Sequence, residues 1–214
     1  MVSVKTVASS VSYYVANELN IDKISAQTIR YGLEIIIGIV LELLIITVIS
    51  YYLGIMPYVF IALATFSSLR LLSGGAHFNT LVRCTVFSTL MAIGLGYFAI
   101  TFGHYSNRII LISIIILASS IGLYVAKKWA PVDTPCKPIS KADKRQRFRQ
   151  ASKVYILAWA LVLIALSLIM QPTPLFTSLV LASIAGFILQ VISLCPACYN
   201  LAAYTDGLLD KLLS

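Results

Sequence analysis

"YGLEIIIGIVLELLIITVISYY", residues 31–52, holds only two charged side chains, Glu34 and Glu42. A helix needs ~20 predominantly apolar residues to cross the ~30 Å hydrocarbon core of a bilayer, and this stretch supplies them. Five similar stretches follow, at roughly 55–71, 81–102, 108–126, 154–171 and 174–194. The second is the weakest, being short and ending in "SSLRLLSGG" (67–75). Between the spans, "GIMP" (54–57), "GHYSN" (103–107) and "QPTP" (171–174) carry turn residues and little charge.

The whole chain has the same character. It is 59% hydrophobic and 11% charged, with mean hydropathy +0.92, whereas a soluble domain is about half apolar and a quarter charged. The expected fold class is all-α: a polytopic membrane protein of six transmembrane helices in one integral-membrane domain, residues 1–214. Residues 1–30 lack the pattern of a signal peptide and read instead as an amphipathic segment. In "VKTVASSVSYYVANEL" (4–19), Val4, Val7, Val11 and Val15 recur at helical spacing. That spacing fits a helix lying in the membrane interface, and equally one packed on the rest of the protein.

Charge sets an expected orientation. Residues 127–153, "KKWAPVDTPCKPISKADKRQRFRQASK", hold nine of the sixteen basic residues against two acids. They read as a basic cytoplasmic loop, because positively charged connections stay inside. Both termini are then cytoplasmic, as is the connection carrying Arg70 and Arg83. His77, Cys84, Cys136, Cys195 and Cys198 fall at or near that face, where a reducing compartment disfavours structural disulfides.

"GGAHFNTLVRC" (74–84) is the stretch with candidate chemistry. A cysteine nucleophile needs a thiolate, which a neighbouring imidazole can generate and hold. In an unbroken helix His77 and Cys84 would stand ~10.5 Å apart along the axis, beyond the ~3 Å that proton transfer requires. Gly74 and Gly75 favour a turn before His77, and Asn79 or Thr80 can cap a new helix whose N-terminal dipole favours a thiolate. Spacing alone leaves two readings open: a catalytic pair, or a loop with an interfacial histidine and a buried thiol.

The run from Arg70 through "SGGAH" (73–77) to Cys84 resembles the accessory gene regulator B (AgrB) family of bacterial membrane peptidases. "APVDTPCKPIS" (130–140) with its basic run is similar to the family's loop after the fourth span, although Cys136 stands where a polar residue such as Asn is expected. The amphipathic N-terminus before a six-span body also fits. The resemblance implies a cysteine endopeptidase with His77 as base, Cys84 as nucleophile, and Arg70 and Gly75 in support. It also implies a substrate: a small precursor peptide with an amphipathic leader, a central cysteine or serine, and an acidic C-terminal tail. The tail is removed and the remainder cyclised to a thiolactone or lactone quorum-sensing signal. It further implies a homodimer, and it calls for no cofactor or metal.

Several features keep more than one reading. Lys141, Lys144, Arg145, Arg147 and Arg149 suit anionic lipid headgroups and also a dock for the acidic tail. The run lacks the folded reader that nucleic-acid binding would need. "CPAC" (195–198) offers a thiol–disulfide oxidoreductase as the alternative enzyme, or two metal ligands with Cys136, although one pair is not a metal site. It also reads as the end of a span broken at Pro196. A non-catalytic peptide exporter is the third class, disfavoured by sparse intramembrane charge and no evident repeat. Glu34 is expected to orient His77 or to pair with Arg30. Glu42, near mid-bilayer, is costly there and calls for a packed or polar surrounding. Gly38, Gly94, Gly96 and Gly186 permit close helix packing.

Overall fold

The computed structural model describes residues 4–18, 23–76, 80–132 and 142–213, and all regular structure among them is helical. The eight helices are α1 (Val4–Glu18), α2 (Lys23–Tyr52), α3 (Met56–Ser73), α4 (Leu81–Gly103), α5 (Arg108–Trp129), α6 (Ala142–Ile169), α7 (Pro174–Ser193) and α8 (Pro196–Leu213). Six of them, α2 to α7, are long and apolar enough to cross a membrane. The protein is a multi-pass membrane protein of the expected all-α class. Met1–Tyr52 and Leu53–Ser214 form two compact units.

In the first unit α1 packs on α2. The buried face of α1 is Ala8, Ser12 and Ala16, one turn apart, while Val7 and Val11 are exposed. The valine stripe is therefore not the packing face; small side chains let the two backbones come close. Arg30 lies 3.6 Å from Glu34 one turn along α2, so this acid has the local ion-pair partner expected of it.

In the second unit α7 is the central helix. Of its span, 67% is buried, and no other span exceeds 33%. It packs against α3, α4 and α5, and α6 packs against α5 and α3. Thr173 caps α7 by accepting from the Phe176 N–H at 3.3 Å, with Pro174 in the first turn. There its missing N–H costs nothing. Gly186 permits the closest approach: a Cβ there would overlap the Ala62 carbonyl of α3. Three helices are joined through Ser183 of α7. Its hydroxyl lies 2.8 Å from Thr65 Oγ1 of α3 and accepts from Trp159 Nε1 of α6 at 3.0 Å. Trp159 also stacks on Phe187, ring centroids 4.1 Å apart. Large apolar side chains such as Leu90, Leu117 and Leu161 are exposed, as a lipid-facing surface requires.

Two boundaries differ from expectation. The basic segment 127–153 is not loop throughout: Lys127–Trp129 close α5, and 142–153 form the first three turns of α6. Lys, Arg, Gln and Ala are all good helix formers, so charge ended the apolar span without ending the helix. Pro196 does stand at a break, between Ser193 and the next helix, but it also opens α8.

Gly186→Val is expected to lower stability by about 1–3 kcal/mol, the usual cost of overpacking. Gly94, expected at a packing contact, has open space around a new Cβ instead, so Gly94→Ala should raise stability by up to about 1 kcal/mol through helix propensity. Thermal unfolding of the detergent-solubilised protein compares them.

Candidate active site

The α3–α4 connection is built by the end of α3. Gly74 (φ 70°) and Gly75 (φ 152°) both have positive φ, which side-chain-bearing residues rarely adopt. Space excludes a side chain as well. A Cβ on Gly74 would come 2.6 Å from the Val132 carbonyl oxygen, and one on Gly75 would come 2.7 Å from Ser193 Oγ and 3.1 Å from Arg70 Nη1. Helix α3 therefore ends at Ser73, and the next helix begins at Leu81.

The turn is held on every side. The Gly74 N–H donates to the Arg70 carbonyl at 2.8 Å, and the Val132 N–H donates to the Ser73 carbonyl at 3.0 Å. Gln190 Nε2, from α7, donates to the Gly74 carbonyl at 2.6 Å and to Ser73 Oγ at 3.0 Å. Ala76 is gripped at both backbone groups: its N–H donates to the Ser193 carbonyl at 3.1 Å, and its carbonyl accepts from Arg70 Nη2 at 2.6 Å. The Arg70 guanidinium also lies 5.4 Å from the centroid of the Phe66 ring. The structure thus brings Arg70 and Gly75 together. His77 follows directly in sequence and lies outside the described residues, as do Cys136 and Lys141.

Helix α4 opens with Thr80 as its cap, the side chain accepting from the Arg83 N–H at 3.4 Å. Cys84 is the fourth residue of the helix, half-buried and in no disulfide. Beside it, Arg83 reaches α8: Nη1 is 3.0 Å from Asp206 Oδ1 and Nη2 is 2.5 Å from Asp210 Oδ1. Asp206 is buried and Asp210 exposed. Oxyanion donors are narrowed too. The amides of Gly74, Ala76 and Cys84 are engaged with Arg70, Ser193 and Thr80. The Leu81 and Val82 amides, in the first helical turn, have no intrahelical acceptor by geometry.

The basic residues divide. Lys144, Arg145 and Arg147 are exposed on the first turns of α6. Arg149 is half-buried, and its Nε donates to the Ala130 carbonyl at 2.7 Å, so it holds the end of α5 to α6. Cys195 and Cys198 carry free thiols. Burial pushes the Cys198 thiol up, Cys195 adds to this, and Arg70 opposes it. A raised pKa leaves less of the thiolate that disulfide exchange needs. Tyr199 is pushed up to about 12, mainly by burial.

The profile of the accessory gene regulator B family matches residues 8–194. This chain belongs to that family. A putative AgrB-like protein of Clostridium perfringens is 30% identical over 98% of this chain and 100% of its own length. One from Clostridium acetobutylicum is 28% identical over 90% and 86%. The accessory gene regulator protein B of Staphylococcus aureus is 30% identical over 74% and 79%. No solved structure matches the chain. Membership gives the chain a role in the accessory gene regulator quorum-sensing system.

Gln190, Ser193 and Asp206 are neighbours of the candidate site that no local sequence pattern brings to it. A carboxamide inside "AGFILQVISL" (185–194) is itself a signal, since a polar group at membrane depth needs a partner. Asp206→Ala should release α8 from the start of α4, exposing it to limited proteolysis several-fold faster. Asp210→Ala should have little effect, because exposed ion pairs contribute little.

Proposed function

We propose that this AgrB-family chain is a membrane cysteine endopeptidase that removes the acidic tail of a small precursor peptide and lets the remainder cyclise. One observation carries the reading. Gly74–Ala76 do not continue α3, and α4 begins afresh at Leu81, which supports releasing His77 and Cys84 from the two-turn separation that one unbroken helix would impose. Cys84 is in no disulfide and lies close to a helix N-terminus, where the dipole favours a thiolate.

The chemistry follows in order. His77 takes the Cys84 thiol proton, and the thiolate attacks the peptide carbonyl just before the tail. The C–N bond breaks, His77 returns the proton to the leaving amine, and a thioester remains on Cys84. The precursor's own thiol then displaces Cys84 and closes a thiolactone at nearly balanced energy, since one thioester replaces another; a serine gives the lactone. Keeping water from the thioester matters meanwhile, and a site at the membrane boundary favours that. The active site faces the cytoplasm, by the charge asymmetry of the connections, and two copies associate as a homodimer, as the family resemblance implies.

Protein in lipid vesicles, mixed with the precursor and followed by mass spectrometry, tests this. Cys84→Ala and His77→Ala should each insert normally and release no tail. Cys195→Ser with Cys198→Ser should leave cleavage intact. Tail release by Cys84→Ala, or its loss in the double variant, would sink the proposal in favour of other chemistry.

The acidic tail is met by the first turns of α6. Replacing Lys144, Arg145 and Arg147 by Gln should weaken binding of a tail peptide several-fold and flatten its salt dependence. Arg149→Gln should act through stability instead, because its guanidinium is spent on Ala130. Unchanged tail binding in the triple variant would leave these residues to the lipid headgroups.

A further inference from the structure

Gln190 has no role in the chemistry above, yet it is a fully buried carboxamide in the most buried span of the protein. Left unsatisfied, such a group is costly. Its partners are specific. Nε2 donates to the Gly74 carbonyl and to Ser73 Oγ, while Oε1 lies 3.0 Å from the Ser193 hydroxyl, which also reaches the Gln190 carbonyl at 2.8 Å. One helical turn on, the Ser193 carbonyl accepts the Ala76 N–H, and Arg70 takes the Ala76 carbonyl.

These contacts form one continuous network. It fixes the carbonyl of Gly74 and both backbone groups of Ala76, the residue that immediately precedes His77 in the chain. Nothing comparable is needed merely to end α3: Gly74 already closes that helix through its own N–H to Arg70. The additional grip determines where the chain departs toward the histidine.

We propose that Gln190 and Ser193 are positioning residues for the reaction at Cys84, acting with Arg70 by fixing Gly74–Ala76 and so the origin of His77. This rests on the His77–Cys84 reading. Neither side chain touches the substrate. Loss of either shifts the imidazole relative to the thiol, and displacements of ~1 Å near a reacting group cost on the order of 100-fold in rate. Binding of the precursor is left nearly unchanged.

The experiment uses full-length protein in vesicles with Cys136, Cys195 and Cys198 replaced by Ser, so that Cys84 is the one thiol. Three properties are measured: iodoacetamide alkylation of Cys84 against pH, single-turnover tail release, and KM for the precursor. The parent should alkylate with a midpoint below the ~8.5 of a free cysteine, and His77→Ala should raise it. Gln190→Leu should raise it in the same direction and slow tail release by ~10-fold or more, with KM near the parent's and a lowered thermal midpoint, because the Gly74 carbonyl loses its buried donor. Ser193→Ala removes a single hydroxyl and keeps the carbonyl that holds Ala76. It should shift both readouts the same way by less, and it decides the matter if Gln190→Leu does not fold. Parental alkylation and tail release in the folded variants would overturn the role of Gln190 and Ser193 and leave His77 and Cys84 standing. If His77→Ala itself alkylates and cleaves like the parent, the peptidase reading falls instead.

Discussion

A carboxamide buried in an apolar helix has to find hydrogen-bond partners, and Gln190 finds them at the C-terminus of α3. Much of the candidate site follows from that requirement. The Gly74 carbonyl must face α7, which demands a backbone turn that only glycine takes comfortably, and Gly75 must pass against Ser193 and Arg70 without a side chain. Packing and polar satisfaction act in the same place. Small residues bring α7 and α3 close enough for Gln190 to reach, and the reach then sets the path of the chain beyond α3. The Ser183 contacts with Thr65 and Trp159, and the Thr177 hydroxyl on the Gly103 carbonyl, do the same further along the bundle, so α7 is tied to its neighbours by hydrogen bonds at three levels as well as by apolar contact.

The apolar spans were legible because hydropathy over twenty residues is a coarse and strong signal. The ends of helices were less so. Apolar character stops near residue 154, but helix does not, because the basic residues before it are good helix formers. Helix α8 escaped notice for a related reason: "PACYNLAAYTDGLLDKLL" (196–213) is too polar to span a membrane and follows a proline. On α1 the valines carried the visible periodicity, while the packing used the alanines and the serine between them.

The site was legible in part. A Gly-Gly pair before a histidine announces a break in helix, and the break is present. Its enforcement was hidden, since Gln190, Ser193 and Val132 are remote in sequence from Gly74 and meet it only through tertiary packing. Arg149 was grouped with its basic neighbours on charge, yet it is committed to the Ala130 carbonyl. Formal charge says nothing of which guanidinium already has a partner. Asp206 and Arg83, separated by more than one hundred residues, form a partly buried pair for which no local pattern exists.

Helix α6 has 28 residues, which at 1.5 Å per residue is about 42 Å, against ~30 Å of hydrocarbon. The excess coincides with its basic turns. Its cations are thus carried on a rigid stalk rather than a flexible tether, with fixed height and azimuth about the helix axis. Adding one residue at the root of that stalk would turn its charged face by about 100°, so its direction, not only its charge, is encoded in the count of residues.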